Sequence, residues 1–221
     1  MSELKPDYQR DGMTLYLADC LDVLPHLTGI DAVITDPPYG IAHPCNFAAR
    51  GRSNMALCND YSDVIGDTVP FNPEPWLSFP KVVLWGANYF AEKLPPQSGW
   101  LVWDKERPDA LDQATCELAW SNCVKGVRRF RHLWNGMMRA SEHGENYHPM
   151  QKPAALMCWV LRLPWLLDSA AVLDPYMGCC PTGIACIRTG RKFIGIEKEP
   201  KYFEIARDRI DRELNQGVLN L

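Results

Sequence analysis

Short apolar runs set between turn-forming residues recur along this chain, and most are followed by stretches whose apolar positions repeat every three or four residues. Ala32-Val33-Ile34, Lys81-Val82-Val83-Leu84-Trp85, Ala170-Ala171-Val172-Leu173 and Lys192-Phe193-Ile194-Gly195-Ile196 are too short for helices and too apolar for half-exposed strands. They read as strands buried on both faces. Thr14-Leu15-Tyr16-Leu17 and Trp100-Leu101-Val102-Trp103 continue the strand pattern. Helical spacing follows from Asp19 through Leu27, from Ala154 to about Leu163, from Thr182 to a stop at Gly190, and after Glu199-Pro200, where Phe203, Ala206, Ile210 and Leu214 share a face. Strands and helices alternating in this way predict a doubly wound α/β sheet, mostly parallel with one antiparallel edge and with helices on both faces. For 221 residues we expect a single domain over 1–221, with substrate-contacting insertions at about 41–80 and 118–148.

Open α/β sheets bind their ligands beyond the carboxyl ends of their strands. Asp36-Pro37-Pro38-Tyr39 stands at such a place, just after Ala32–Ile34. The two prolines fix their φ angles and lack N–H groups, so the main chain there is stiff and its carbonyls stay out of a regular ladder. Asp36 adds a carboxylate and Tyr39 a flat ring. A cluster of acceptors beside an aromatic suits a planar ligand that carries an NH₂ group, such as a nucleobase. An ordinary exit from strand to loop is the competing reading of these four residues taken alone.

A second site is legible further on. Asp174-Pro175-Tyr176-Met177-Gly178 leads from a strand into a tight turn, a helix follows from Thr182, and the next strand ends on Glu197. This layout binds an adenosine ribose, with the acid bridging its hydroxyls, and spacing alone does not separate it from a dinucleotide site.

The net charge of −4 argues against polyanion binding over the whole surface. From Leu118 to Ser141, however, there is no acidic residue, while Lys125, Arg128, Arg129, Arg131 and Arg139 fall there with Phe130, His132 and Trp134 interleaved. This strip is expected to neutralise phosphates, and the alternation from Arg129 to Trp134 predicts a strand with one basic face; a solvated strand face is the alternative. No apolar run approaches the roughly 18 residues that cross a bilayer, and Met1-Ser2-Glu3 opens no signal peptide, so a cytoplasmic location is expected. The nine cysteines contain no C-x-x-C pair, and reduced, mostly buried thiols with no metal site are expected.

Taken together, these segments resemble, from about Leu15 to Ile210, the amino-methyltransferases that methylate adenine N6 or cytosine N4 in DNA using S-adenosylmethionine (AdoMet). Asp36–Tyr39 resembles their catalytic motif. Trp85-Gly86-Ala87-Asn88 and Trp100–Lys105 are similar to their W-G-A-N and W-x-x-W-D-K runs, and His148–Pro153 to their H-P-x-Q-K-P run. The base motif precedes the cofactor motif, as in the permuted β group. The resemblance implies a Rossmann-like methyltransferase fold, AdoMet as cofactor, double-stranded DNA as partner and a place in restriction–modification, and it allows a homodimer. It implies that Asp36, Pro37, Pro38 and Tyr39 are catalytic: Asp36 and the Pro37 carbonyl accept hydrogen bonds from the amine of a flipped base, and Tyr39 stacks on that base. For the cofactor it implies Asp19 at the adenine, Glu197 at the ribose and Lys152 at the carboxylate, with Asp174, Tyr176, Gly178, Cys180 and Thr182 around the turn. Adenine N6 is favoured because the family more often pairs Asp with adenine; cytosine N4 is the alternative. Methylation of RNA or of a protein glutamine would more typically place Asn at position 36.

The chain departs from the family's cofactor motif, usually D-P-F-x-G-S-G-T-T, where Cys179-Cys180 replace Ser-Gly and Pro181 takes a Thr position. A side chain at a position built for glycine strains the turn or crowds the cofactor, so a DNA-binding relative without turnover also stays open. Pro44-Cys45 invites comparison with cytosine C5 enzymes, but His43 stands where their pattern has another proline.

Overall fold

The computed structural model describes residues 4–41, 68–107, 114–135, 138–143, 147 and 150–219. Pro44-Cys45, most of the loop predicted over 41–80, and His148-Pro149 lie outside the described residues.

In chain order the strands are β1 (Tyr8–Arg10), β2 (Met13–Leu17), β3 (Ala32–Thr35), β4 (Val82–Trp85), β5 (Gly99–Asp104), β6 (Cys116–Ser121), β7 (Val127–Arg131), β8 (Trp134–Asn135), β9 (Met138–Arg139), β10 (Ala171–Asp174) and β11 (Lys192–Glu197). The helices are α1 (Cys20–Val23), α2 (Glu74–Leu77), α3 (Ala154–Leu161), α4 (Pro181–Arg188) and α5 (Pro200–Leu219). Among the described residues the main sheet runs β1-β2-β11-β10-β3-β4-β6-β5-β7, and β8 and β9 form a separate hairpin. Five strands in succession, β2-β11-β10-β3-β4, pair in parallel.

Each buried strand serves two cores because successive side chains point to opposite faces. On β3, Ala32 and Ile34 join the cluster built with α3, α4 and α5, while Val33 joins the one built with α1 and α2. On β4, Val83 and Trp85 divide from Val82 and Leu84 in the same way. The apolar runs are continuous because both faces are covered, as the doubly wound prediction required.

The one expected antiparallel edge is β1, which closes the sheet as a hairpin with β2. A further antiparallel strand lies inside the far half of the sheet: β6 runs between β4 and β5, antiparallel to both, and β7 then pairs with β5 in parallel to form the other edge. The stretch expected to be an insertion at 118–148 therefore supplies two strands of the main sheet. Ala119, Trp120 and Ser121 are fully buried there, because β6 has neighbours on both sides.

β10 and β3 are neighbours, in register at Val172–Ala32 and Leu173–Val33. From β10 the chain moves to β11 on one side, and from β3 it moves to β4 on the other. This divergence opens a crevice at the carboxyl ends of both strands, the position where such sheets bind ligands.

Candidate active site

A cleft of about 410 Å³ occupies that crevice. The two predicted motifs open onto it together: Asp36, Pro37, Pro38 and Tyr39 from the end of β3, and Asp174, Tyr176 and Gly178 from the end of β10, with Glu197 closing β11 and Asp19 following β2. Val69, Phe71 and Asn72 also line it, so the described part of the 41–80 stretch borders the cleft.

Asp36 is the hub of a buried polar network. Its Oδ1 accepts from the Tyr39 hydroxyl at 2.5 Å and its Oδ2 pairs with the Lys152 ammonium at 2.5 Å. Lys152 Nζ also donates to the Tyr39 hydroxyl oxygen at 3.0 Å and pairs with Glu117 Oε2 at 2.9 Å. Glu117 Oε1 in turn binds Lys105 Nζ at 2.5 Å. The Lys152 side chain is 1% exposed, and its ammonium lies within 3.0 Å of Asp36, Glu117 and Tyr39 together. Lys152 also lines the cleft, where resemblance assigns it to the cofactor carboxylate, and the contacts found for it are to Asp36, Tyr39 and Glu117.

Burial raises the pKa of Asp36 despite the opposing pull of Lys152, and the Glu117 charge raises it further. Glu117 is held down at about 2: burial opposes this, but the two lysines outweigh it. One ammonium thus serves two carboxylates, and Glu117, which has a second cation, is the more firmly ionised. Burial and the Asp36 charge push the Tyr39 hydroxyl well above its ordinary value, so it stays a donor.

The Tyr39 ring is placed by Gly86. A Cβ at Gly86 would stand 1.9 Å from Tyr39 Cε1, and this glycine has φ +69°. Tyr89, just beyond, stacks on the ring with centroids 4.9 Å apart. The W-G-A-N run thereby supports the tetrapeptide from the neighbouring strand.

On the cofactor-motif side, Glu197 accepts from the backbone N–H of Gly178 at 2.9 Å and of Glu199 at 2.8 Å. Gly178 has φ +49° and open space where a Cβ would stand. Asp19 caps α1 through the Leu21 N–H at 3.0 Å and pairs with Lys198 at 2.9 Å, and its carboxylate also borders the cleft.

Asp174 is 2% exposed and accepts from Thr35 Oγ1 at 2.6 Å, Thr182 Oγ1 at 2.7 Å and the Tyr176 N–H at 3.2 Å. Its oxygens hold the turn to β3. Two members of the predicted cofactor set do not reach the cleft. Thr182 is fully buried against Asp174, and the Cys180 side chain packs in the core, with its sulfur 2.3 Å from where a Cβ of Gly183 would stand. Cys180 adopts φ 64°, ψ 44°, the left-handed conformation anticipated for a glycine there. The expected crowding of the cofactor does not arise, because the sulfur fills space left by Gly183 beneath the turn.

The five basic residues do not form one patch. Val127 pairs with Trp100 and Arg131 with Asp104, so Arg131 lies at the cleft end of β7 and Lys125 precedes its opposite end. Arg129 and Arg131 share a face, whereas Arg128 lies on the other, over the Trp165 ring at 5.2 Å. Arg131 contacts Asp104 at 3.4 Å and Glu106 at 3.0 Å, and Arg139 lies over Trp134 at 4.1 Å.

Glu117 had no signature in the sequence. It is brought to the site only by the antiparallel register that sets it opposite Trp103, two positions from Lys105. Among the described residues no group of His, Cys, Asp and Glu has metal-holding geometry, and no helix is long and apolar enough to cross a membrane.

The profile of a DNA methylase family, the N6/N4 methyltransferases, matches residues 94–208. The chain belongs to this family. The match takes in β5, β6 and the glycine turn, while the tetrapeptide lies ahead of it. Full-length relatives span both parts of this DNA methylase. The Type II methyltransferase M2.LlaDCHI of Lactococcus lactis subsp. cremoris is 24% identical, covering 97% of this chain and 95% of its own length. The Type II methyltransferase M2.DpnII of Streptococcus pneumoniae is also 24% identical, covering 95% and 93%. Among solved structures, the M1.HpyAVI–SAM complex is 23% identical with a TM-score of 0.54, covering 89% of this chain and 99% of that one. The cytosine-N4-specific PvuII DNA methyltransferase is 15% identical with a TM-score of 0.61, covering 96% and 94%. These structures show the Rossmann-like methyltransferase fold.

Proposed function

We propose that this DNA methylase transfers a methyl group from AdoMet to N6 of an adenine flipped out of duplex DNA. The observation that carries this reading is the convergence of the two motifs: the Asp36–Tyr39 acceptors and the Gly178–Glu197 turn open onto one cleft from neighbouring strand ends.

The residues on the cofactor side suit AdoMet. Glu197 is fixed by two backbone N–H groups and keeps acceptor capacity for the ribose hydroxyls, Gly178 lets a ligand come close to the main chain, and Asp19 and Tyr176 border the same space. When bound, AdoMet supplies an electrophilic methyl, whose bond to sulfur breaks with the electron pair remaining on sulfur as the bond to nitrogen forms.

Asp36 and the Pro37 carbonyl orient the substrate. Accepting the amine hydrogens turns the nitrogen lone pair toward the methyl and away from the base plane, which requires the base to leave the stack. Tyr39, backed by the stacked Tyr89 ring, offers an aromatic surface to the base, a contact of about 1–3 kcal/mol. Alignment of the two reactants supplies most of the acceleration. Arg129, Arg131 and Arg139 are assigned to phosphate contacts beside the cleft. Adenine rests on Asp as the first residue of the tetrapeptide, since the fold is shared with a cytosine-N4-specific relative.

The protein is tested by incubating it with labelled AdoMet and unmethylated duplex DNA, hydrolysing the DNA to nucleosides and separating them. Label in N6-methyldeoxyadenosine is expected, and Asp36→Ala should abolish it while AdoMet affinity stays within a few fold. Label in N4-methyldeoxycytidine would reassign the base. AdoMet and DNA binding without any labelled product would point to the relative without turnover.

A further inference from the structure

The chain of charges Lys105–Glu117–Lys152–Asp36 contains more than an ion pair needs. A single carboxylate would neutralise Lys152, yet two converge on it, and the second is itself clamped by another lysine. Buried ion pairs are poor stabilisers compared with apolar packing, so stability is a weak reason for four charged groups in one buried place. The arrangement does match a demand of the reaction proposed above, on which this inference rests. The substrate nitrogen gains a methyl and must shed one proton, and Asp36 is the acceptor within reach. If Asp36 were the sole counter-ion of Lys152, taking that proton would leave an uncompensated buried ammonium.

We propose that Glu117, seated between Lys105 and Lys152, is a positioning residue for the reaction: it neutralises Lys152 so that Asp36 is free to accept the substrate amine's hydrogen bond and then its proton. With both carboxylates ionised, the four groups sum to zero. When Asp36 takes the proton, Lys152 keeps Glu117 as its partner, and the single excess positive charge is shared over Lys105 and Lys152.

The groups facing Asp36 are Lys152 and Tyr39 in contact, Glu117 across Lys152, and Asp174 from β10. Those facing Glu117 are Lys105, at the end of β5, Lys152, and Arg107 beyond it. Removing the Glu117 charge leaves Asp36 alone with Lys152 and makes it less basic. Removing the Lys105 charge leaves two carboxylates sharing one ammonium and makes Asp36 more basic. A merely structural network would shift the Asp36 titration in the same opposed way, but would leave the pH dependence of the rate where it was.

The test uses the full chain with ¹³C-labelled aspartate carboxyls, the Asp36 resonance being assigned from its loss in Asp36→Asn. In Glu117→Gln the Asp36 titration midpoint should fall by about 1 pH unit or more, the usual effect of one close charge, and in Lys105→Met it should rise. The acid limb of the single-turnover rate should move with each midpoint, with KM for DNA and AdoMet little changed. Midpoints that stay put, or that move in the same direction in both variants, overturn the proposal. Should Glu117→Gln not fold, Lys105→Met decides alone: a rise in the midpoint matched by the acid limb of the rate supports the proposal, and an acid limb that stays put sinks it. The underlying reading fails separately. Full turnover by Asp36→Ala would remove Asp36 from the chemistry, and the catalytic role of Glu117 with it, whatever the titrations show.

Discussion

At Cys180 two effects oppose each other. A non-glycine residue in the left-handed region costs roughly 1–2 kcal/mol, and this one has φ 64°. Its sulfur is fully buried against Gly183 in the core, and filling that space returns about 1 kcal/mol. Cys180→Gly should therefore leave stability nearly unchanged and AdoMet affinity within about three-fold, since the sulfur lies off the cleft. Cys180→Ala keeps the backbone cost, loses the sulfur and should be about 1 kcal/mol less stable than the glycine variant, the reverse of the usual order at negative φ. Denaturant titration of the two variants checks this, and an alanine variant as stable as the glycine one would show that the left-handed turn carries no cost. The departure from the family pattern was legible in the sequence. Its consequence was not, because the direction of the sulfur depends on Gly183 one helical turn away.

At the scale of the element, β7 shows why a charge strip in sequence is not a patch in space. Arg131 lies four positions beyond Val127, which at about 3.3 Å per residue is roughly 13 Å along the strand. Lys125 lies before the near end, and only the Arg131 end reaches the edge where the cleft opens. Arg131 must exchange Asp104 and Glu106 for phosphate, acids that are absent from its own stretch of sequence and arrive from β5 and just beyond it. Arg131→Ala should lower the dependence of DNA affinity on salt by up to about 0.9 in the log–log slope, the value for one lost phosphate contact, while Lys125→Ala leaves the slope unchanged. Equal slopes in the two variants would mean that DNA runs along the whole edge strand.

Across the molecule, the two motifs are joined through Asp174, which links the turn after β10 to Thr35 of β3. Burial raises its pKa to about 6, although three hydrogen bonds favour the charged form. Between the ordinary value of 3.8 and about 6 the folded state holds a proton that the unfolded chain has lost. The contribution of Asp174 is thus complete below pH 4 and is lost as pH rises through about 6. Relative to Asp174→Asn, the wild-type protein should lose about 2–3 kcal/mol of unfolding free energy between pH 4 and pH 7. Chemical denaturation of both proteins across that range measures the difference, and a constant offset would show that Asp174 does not titrate in the folded state.

The sequence by itself determined the buried parallel strands, because a strand covered on both faces has to be apolar throughout, and Ala32–Ile34, Val82–Trp85 and Val172–Leu173 are. It also determined the two motifs, since Asp36-Pro37-Pro38-Tyr39 and the turn from Asp174 to Gly178 constrain their own main chain through proline, glycine and short-range hydrogen bonds. Only the tertiary structure decided what these motifs touch. Strand order set β10 beside β3 and so merged the base and cofactor motifs into one cleft. The antiparallel register of β6 delivered Glu117 to Lys152, from 35 positions away in sequence. Contacts of that kind depend on which strands become neighbours, a choice made by the packing of both cores together, and no local pattern around Glu117 records it.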